Sequence, residues 1–195
     1  YKALKNNSDT GYSNTAVGYV ALAANTTGDF NTAVGREALE TNASGSCNTA
    51  IGTKALEVIT VDSGTAVGAC ALAANTTGPA NTAVGRQSLL DCTTGEQNTA
   101  VGFEALQNVT TGHSNVGMGR ATGETITTGT NHVIIGKDAQ ASGAATSFEV
   151  VLGANAVGKG TNTGLIGGNG NAIYQGNNSS SWSTTSDKRI KKNIV

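Results

Sequence analysis

The string NTAVG, or a close variant, returns along the chain at Asn14, Asn31, Asn48, Gly64, Asn81 and Asn98, and no other feature constrains the fold as tightly. The glycines that close it are Gly18, Gly35, Gly52, Gly68, Gly85 and Gly102. The register continues through Gly119, Gly136, Gly153 and Gly167, with successive spacings of 17, 17, 16, 17, 17, 17, 17, 17 and 14 residues. Two further boxes share the period. One is an Ala-Leu pair running from Ala21-Leu22 to Ala105-Leu106, with Ser88 replacing its alanine once; the other is a turn of the NTTG type ending in Gly28, Gly45, Gly78, Gly95, Gly112 and Gly129. The one 16-residue unit lacks that third glycine, which places its deletion in a turn, where a change of length costs least.

A 17-residue unit is too short for a helical hairpin and fits one coil of a β-solenoid. The expected fold is therefore all-β, a parallel β-solenoid or β-roll of about ten short coils. The TAVG segment is the strand: Thr15 and Val17 share one face, Ala16 takes the other, and β-branched residues favour the extended backbone. The Ala-Leu box reads either as a second strand or as one helical turn. Stacking places like over like, so Val17, Val34, Ile51, Val67, Val84, Val101, Met118, Ile135, Leu152 and Ile166 form an apolar ladder expected in the core. The leucines from Leu22 to Leu106 form a second ladder. Asn14, Asn31, Asn48, Asn81, Asn98 and Asn115 form a third, of amides that donate and accept along the stack. The small row Ala16, Ala33, Ala50, Ala66, Ala83 and Ala100 reads as the surface where another backbone approaches, which predicts a parallel homo-oligomer of cyclic symmetry.

Composition narrows the possible activities. Among 195 residues there are 27 Gly, 1 Pro and 2 His, with 37% apolar and 13% charged residues and a net charge of -1. That is poor material for a metalloenzyme or for a face that binds nucleic acid, and no apolar run is long enough to insert in a membrane. No cofactor and no metal is expected. His113 and His132 lie 19 apart without an HxH motif and read as surface or hydrogen-bonding residues. Cys47, Cys70 and Cys92 are odd in number, lack CxxC spacing and fall at three places in the repeat, so free, packed thiols are expected.

The tract from Asn14 to Gly167 resembles the NTAVG-type repeats of phage tail fibres and, more distantly, the β-roll heads of trimeric autotransporter adhesins. Adhesin units are nearer 14 residues, a spacing found here only between Gly153 and Gly167. The resemblance implies a homotrimeric structural fibre located in the extracellular virion tail. Its partners would be itself, other tail or fibre proteins and a host cell-surface glycan or protein, and its role receptor binding during host attachment. A stalk or head of a bacterial surface adhesin is the alternative, and the non-catalytic part of a glycan-cleaving tailspike a lesser one. The string Ser186-Asp187-Lys188-Arg189-Ile190-Lys191-Lys192-Asn193-Ile194 resembles the start of the self-cleaving intramolecular chaperone found at the C-terminus of many trimeric fibres. By that resemblance Ser186 matches the nucleophile for autocleavage after Thr185 and Lys191 the lysine that activates it. Only the first ten or so residues of such a domain are present, so the chain itself is not expected to be an enzyme. The organisation is then a connection over 1–13, the repeat shaft over 14–167, a Gly/Asn/Ser-rich distal segment over 168–185 and the chaperone start over 186–195. In the distal segment Tyr174 and Trp182 are the only aromatics, read either as a cap on the open end of the solenoid or as a receptor-facing tip.

Overall fold

The computed structural model describes residues 2–6, 11–168, 171–176 and 183–184. One coil carries one short strand, and the strands stack in chain order into a single twelve-stranded sheet. They are β1 (Thr15–Val17), β2 (Thr32–Val34), β3 (Thr49–Ile51), β4 (Thr65–Val67), β5 (Thr82–Val84), β6 (Thr99–Val101), β7 (Val116–Met118), β8 (Val133–Ile135), β9 (Val150–Leu152), β10 (Gly164–Gly168), β11 (Asn171–Gln175) and β12 (Ser183–Thr184). From β1 to β10 every neighbour is parallel and in the register the repeat predicts, Thr15 opposite Thr32 and Val17 opposite Val34. β11 and β12 then reverse, each antiparallel to the strand before it, and cover the open edge of β10. The chain is an all-β solenoid of about nine turns.

Which strand face is the core differs from the expectation. The alanines point inward: Ala33, Ala50, Ala66, Ala83 and Ala100 are completely buried. The valine ladder faces outward, with Val17 59% and Val84 37% exposed. The reason is volume. Each turn folds Leu22, Leu39, Leu56, Leu72, Leu89 or Leu106 into the lumen, all fully buried, and the space that remains admits only a methyl from the strand. The small row is therefore the inner wall of the coil, not a surface for another backbone.

The Ala-Leu box is neither strand nor helix but a turn whose backbone alternates in hand. Leu22, Leu39, Leu56, Leu72, Leu89 and Leu106 all sit at φ 48 to 51°, and the residues two before them, Val20 to Glu104, are also left-handed. A left-handed L-residue costs about 1–2 kcal/mol. Burial of the leucine and a hydrogen bond to the next coil, such as Leu22 N–H to Ala38 O at 2.9 Å, offset it. Residues 2–6, expected as a connection, belong to the same system: Leu4 has φ 51° and its N–H donates to Ala21 O.

The shortened unit is accommodated where the sequence predicts. The Asn48 side chain donates to Val61 O, in the relation that Asn31 has to Gly45 O, so Val61 stands at the missing glycine and one residue is lost between Ile59 and Val61. Past Leu106 the core changes hands. The leucine position becomes Gly123, while the strand's inward residue grows from Ala100 through Gly117 to Ile134, Val151 and Leu165, the last three buried. The lumen stays filled by exchanging volume between its two walls.

Candidate functional site

Among the described residues, the outward side of β1–β10 is the one extended surface with a distinct chemistry. It carries two parallel rows: the residues that open the strands, threonine in β1–β6 and valine in β7–β9, and the Val/Ile/Met/Leu residues that close β1–β9, continued by Ile166 in β10. Of the fourteen large apolar residues exposed among the described residues, thirteen lie in these strands, in β11, or within three residues of a strand; Val157 alone lies elsewhere. Aromatics flank the stripe at Tyr12, Phe30 and Phe148 on the side where the strands begin, and at Tyr19 and Phe103 where they end. A surface so unevenly apolar is unusual for a chain that meets only water.

Its two margins carry opposite charge. Three residues before the strands stand Asp29, Asp62 and Glu96, in a row with no Lys or Arg. Two residues after them stand Arg36, Arg86, Arg120 and Lys137, in a row with no Asp or Glu. Arg36 also pairs with Glu37 at 3.0 Å, and Arg120 and Lys137 with Asp138 at 3.3 Å, one residue further from the face. Arg86 lies 5.4 Å over the Phe103 ring.

Inside, the amide ladder runs as expected. The Asn31 backbone N–H donates to Asn14 Oδ1 (2.9 Å), and the Asn31 side-chain amide donates to Gly45 O (2.8 Å), tying three coils through one residue. The same pair recurs at Asn98 and Asn115. The ladder does not end there. His132 takes the next place, donating its backbone N–H to Asn115 Oδ1 (3.1 Å) and bonding through Nε2 to Thr146 O (2.7 Å). Glu149 follows, buried, its carboxylate accepting from Ser142 N–H, Ser142 Oγ (2.7 Å) and Gly160 N–H. Both were legible as ladder members from the 17-residue register alone, but their ionisable type hides them from a search for asparagine.

Of the residues singled out in sequence, Ser186, Lys191 and Trp182 lie outside the described residues. Tyr174 is half-buried in β11, in register with Leu165 and Ser183, and packs against the core. His113 and His132 are not brought together as equivalents: His113 is exposed and bonded to Ser114 Oγ, whereas His132 is internal. The thiols are all free, but only Cys92 is buried; Cys70 is half-exposed and Cys47 exposed, so packing does not describe the set. Glu37, Glu40 and Glu57 converge within 4.8 Å, and Lys54 already stands among them, 3.3 Å from Glu37 and 2.8 Å from Glu57. Those two hydrogen bonds, Glu57 foremost, raise the Lys54 pKa and keep the ammonium where a metal would otherwise sit. No family model matches the chain, and neither does any curated protein or solved structure.

Proposed function

We propose that this chain is a shaft-forming segment of a trimeric fibre of the tail-fibre kind, which carries a host-binding end away from the particle that bears it. The observation that supports this reading is the uninterrupted in-register stacking of β1 to β10. Identical side chains repeat about every 4.8 Å, a design suited to spanning distance rather than to enclosing a substrate. Each coil hydrogen-bonds the next around its whole circumference, including the turns, so the rod resists bending. The outward apolar stripe is consistent with several copies held side by side. Attachment to a host glycan or protein, and release of a C-terminal chaperone through Ser186 and Lys191, complete the reading.

The decisive experiment is sedimentation equilibrium together with small-angle scattering on the purified chain. The expected result is a rod with three times the mass of one 19.4 kDa chain. A monomer at all accessible concentrations overturns the fibre reading. In a longer chain that carries the complete chaperone, Ser186→Ala should leave that domain attached.

A further inference from the structure

We infer that the threonine/valine face of β1–β10 is the surface on which copies of this chain pack, parallel and around a common axis, with the acidic margin of one copy against the basic margin of the next. The inference rests on the multimeric fibre reading above and goes further by naming the face, which is not the alanine row expected from the sequence, and the charged residues matched across it.

The first support is location. The wall expected to receive a neighbour, the alanine row, is sealed inside the coil at Ala33, Ala50, Ala66, Ala83 and Ala100. The apolar surface left for a partner is concentrated on the opposite face of the same strands, where Val17, Ile51, Val84, Met118, Ile135 and Ile166 are 37 to 59% exposed. The second support is size. Ten strands at about 4.8 Å, across a width of about five extended residues, give a face of about 800 Å², the area one partner contributes to a standard stable interface.

The third support is charge, and it fixes direction. Asp29, Asp62 and Glu96 line the margin where the strands begin, and Arg36, Arg86, Arg120 and Lys137 the margin where they end. Rotation about an axis parallel to the rod carries the acidic margin of one copy to the basic margin of its neighbour. Rotation about an axis across the rod, which makes the copies antiparallel, brings acid to acid and base to base. Complementary margins therefore select the parallel cyclic arrangement and oppose the antiparallel one. The levels also suit. Arg86 follows β5 and Glu96 precedes β6, one coil apart, an offset of about 4.8 Å that an arginine side chain spans.

The test uses cysteine pairs. In a Cys47→Ser, Cys70→Ser background, which removes both accessible native thiols, Val84→Cys places a thiol on the inferred face, and Thr94→Cys places one on the far turn, where Thr94 is exposed. Under mild oxidation the native assembly carrying Val84→Cys should yield a covalent dimer on denaturing gels, and that carrying Thr94→Cys should not. A multimeric mass with no Val84→Cys dimer, or with dimer from Thr94→Cys instead, overturns the face while the fibre reading stands. A monomeric mass overturns the fibre reading itself. In parallel, Arg86→Glu should raise the concentration for half-assembly about tenfold or more, and the double change Arg86→Glu with Glu96→Arg should recover most of it. Absence of recovery overturns the charge-matched margins.

Discussion

His132 Nδ1 accepts the backbone N–H of Glu149 at 3.3 Å, in the place where Asn14, Asn31, Asn48, Asn81, Asn98 and Asn115 use an asparagine Oδ1. The imidazole thus reproduces both halves of the amide: an acceptor toward the next backbone, and through Nε2 a donor toward Thr146 O. Only the neutral ring protonated at Nε2 can fill both roles. Protonation of Nδ1 would remove the acceptor and set two donors against each other.

Acid should therefore loosen the solenoid at this coil. Burial lowers the His132 pKa from its usual 6.5, outweighing the upward pull of the Thr146 hydrogen bond and of the Glu149 charge. With the folded-state value below the unfolded one, the unfolded chain takes up a proton that the folded chain refuses. The stability this group contributes is complete above about pH 6.5 and falls as pH drops from there toward the lowered folded value. Replacing His132 with asparagine keeps the ladder and removes the titration. Denaturant unfolding from pH 7.5 to 5 should show a shallower acid loss for His132→Asn, by up to about 1.4 kcal/mol per pH unit. Equal slopes in the two proteins would refute the assignment.

Glycine at the strand end is required for two separable reasons, and a comparison with Gly160, in the connection between β9 and β10, divides them. Gly85 has φ +135°, and a Cβ there would strike the Gly102 carbonyl of the next coil. Gly160 has φ +120° with nothing within 4 Å of a Cβ, so alanine there brings backbone strain alone. Gly160→Ala should cost about 1–3 kcal/mol. Gly85→Ala should cost clearly more and lower Tm by about 6–12 °C if the total reaches about 3 kcal/mol. Equal melting shifts would remove the coil-to-coil contact from the explanation.

The period made the solenoid, its register, the amide ladder through Asn115 and the deletion before Val61 legible, because all four follow from stacking like on like. It left open which strand face looks inward. Period-two alternation separates Thr15 and Val17 from Ala16 but assigns neither side to the core, and hydrophobicity favours the valines. The outcome is decided by Leu22 and its equivalents, whose bulk leaves room only for alanine. Their path was illegible for a related reason. A left-handed leucine is locally unfavourable, so no propensity points to it, and only coil-to-coil hydrogen bonds make it stable. His132 and Glu149 were masked by residue type, although their positions fit the register.

Cys92 should be chemically silent in the folded protein while Cys47 is not. Cys92 replaces a turn asparagine, sits in the core, and hydrogen-bonds weakly to Gly95 O at 3.4 Å. Burial pushes its pKa up to about 11, against the smaller downward effects of Asn75 and Gly95. At pH 8 its thiolate fraction is about two orders of magnitude below that of an ordinary cysteine. Alkylation followed by peptide mass analysis should find Cys47 modified and Cys92 intact until denaturant is added. Rapid native labelling of Cys92 would contradict its placement.

Restoring the repeat's own alanine at Gly117 should destabilise the protein, against the usual gain from a consensus residue. The structural reason is the handover of core volume at this coil. A Cβ on Gly117 would lie 2.6 Å from Leu106 Cγ, and one on Gly123 would also meet Leu106, because that leucine has moved into the room both glycines leave. Ala100 stands at the same strand position one coil earlier, fully buried, so the position itself accepts alanine. Overpacking of this kind costs about 1–3 kcal/mol. Leu106→Ala, by opening a cavity, should cost about 2–5 kcal/mol. The two changes occupy the same space, so their combination should cost less than their sum by about 1 kcal/mol or more. A double-mutant cycle on unfolding free energy measures that difference. Strict additivity would mean that Gly117 is not tuned to Leu106, and a stabilising Gly117→Ala would mean that the lumen has room to spare at this coil.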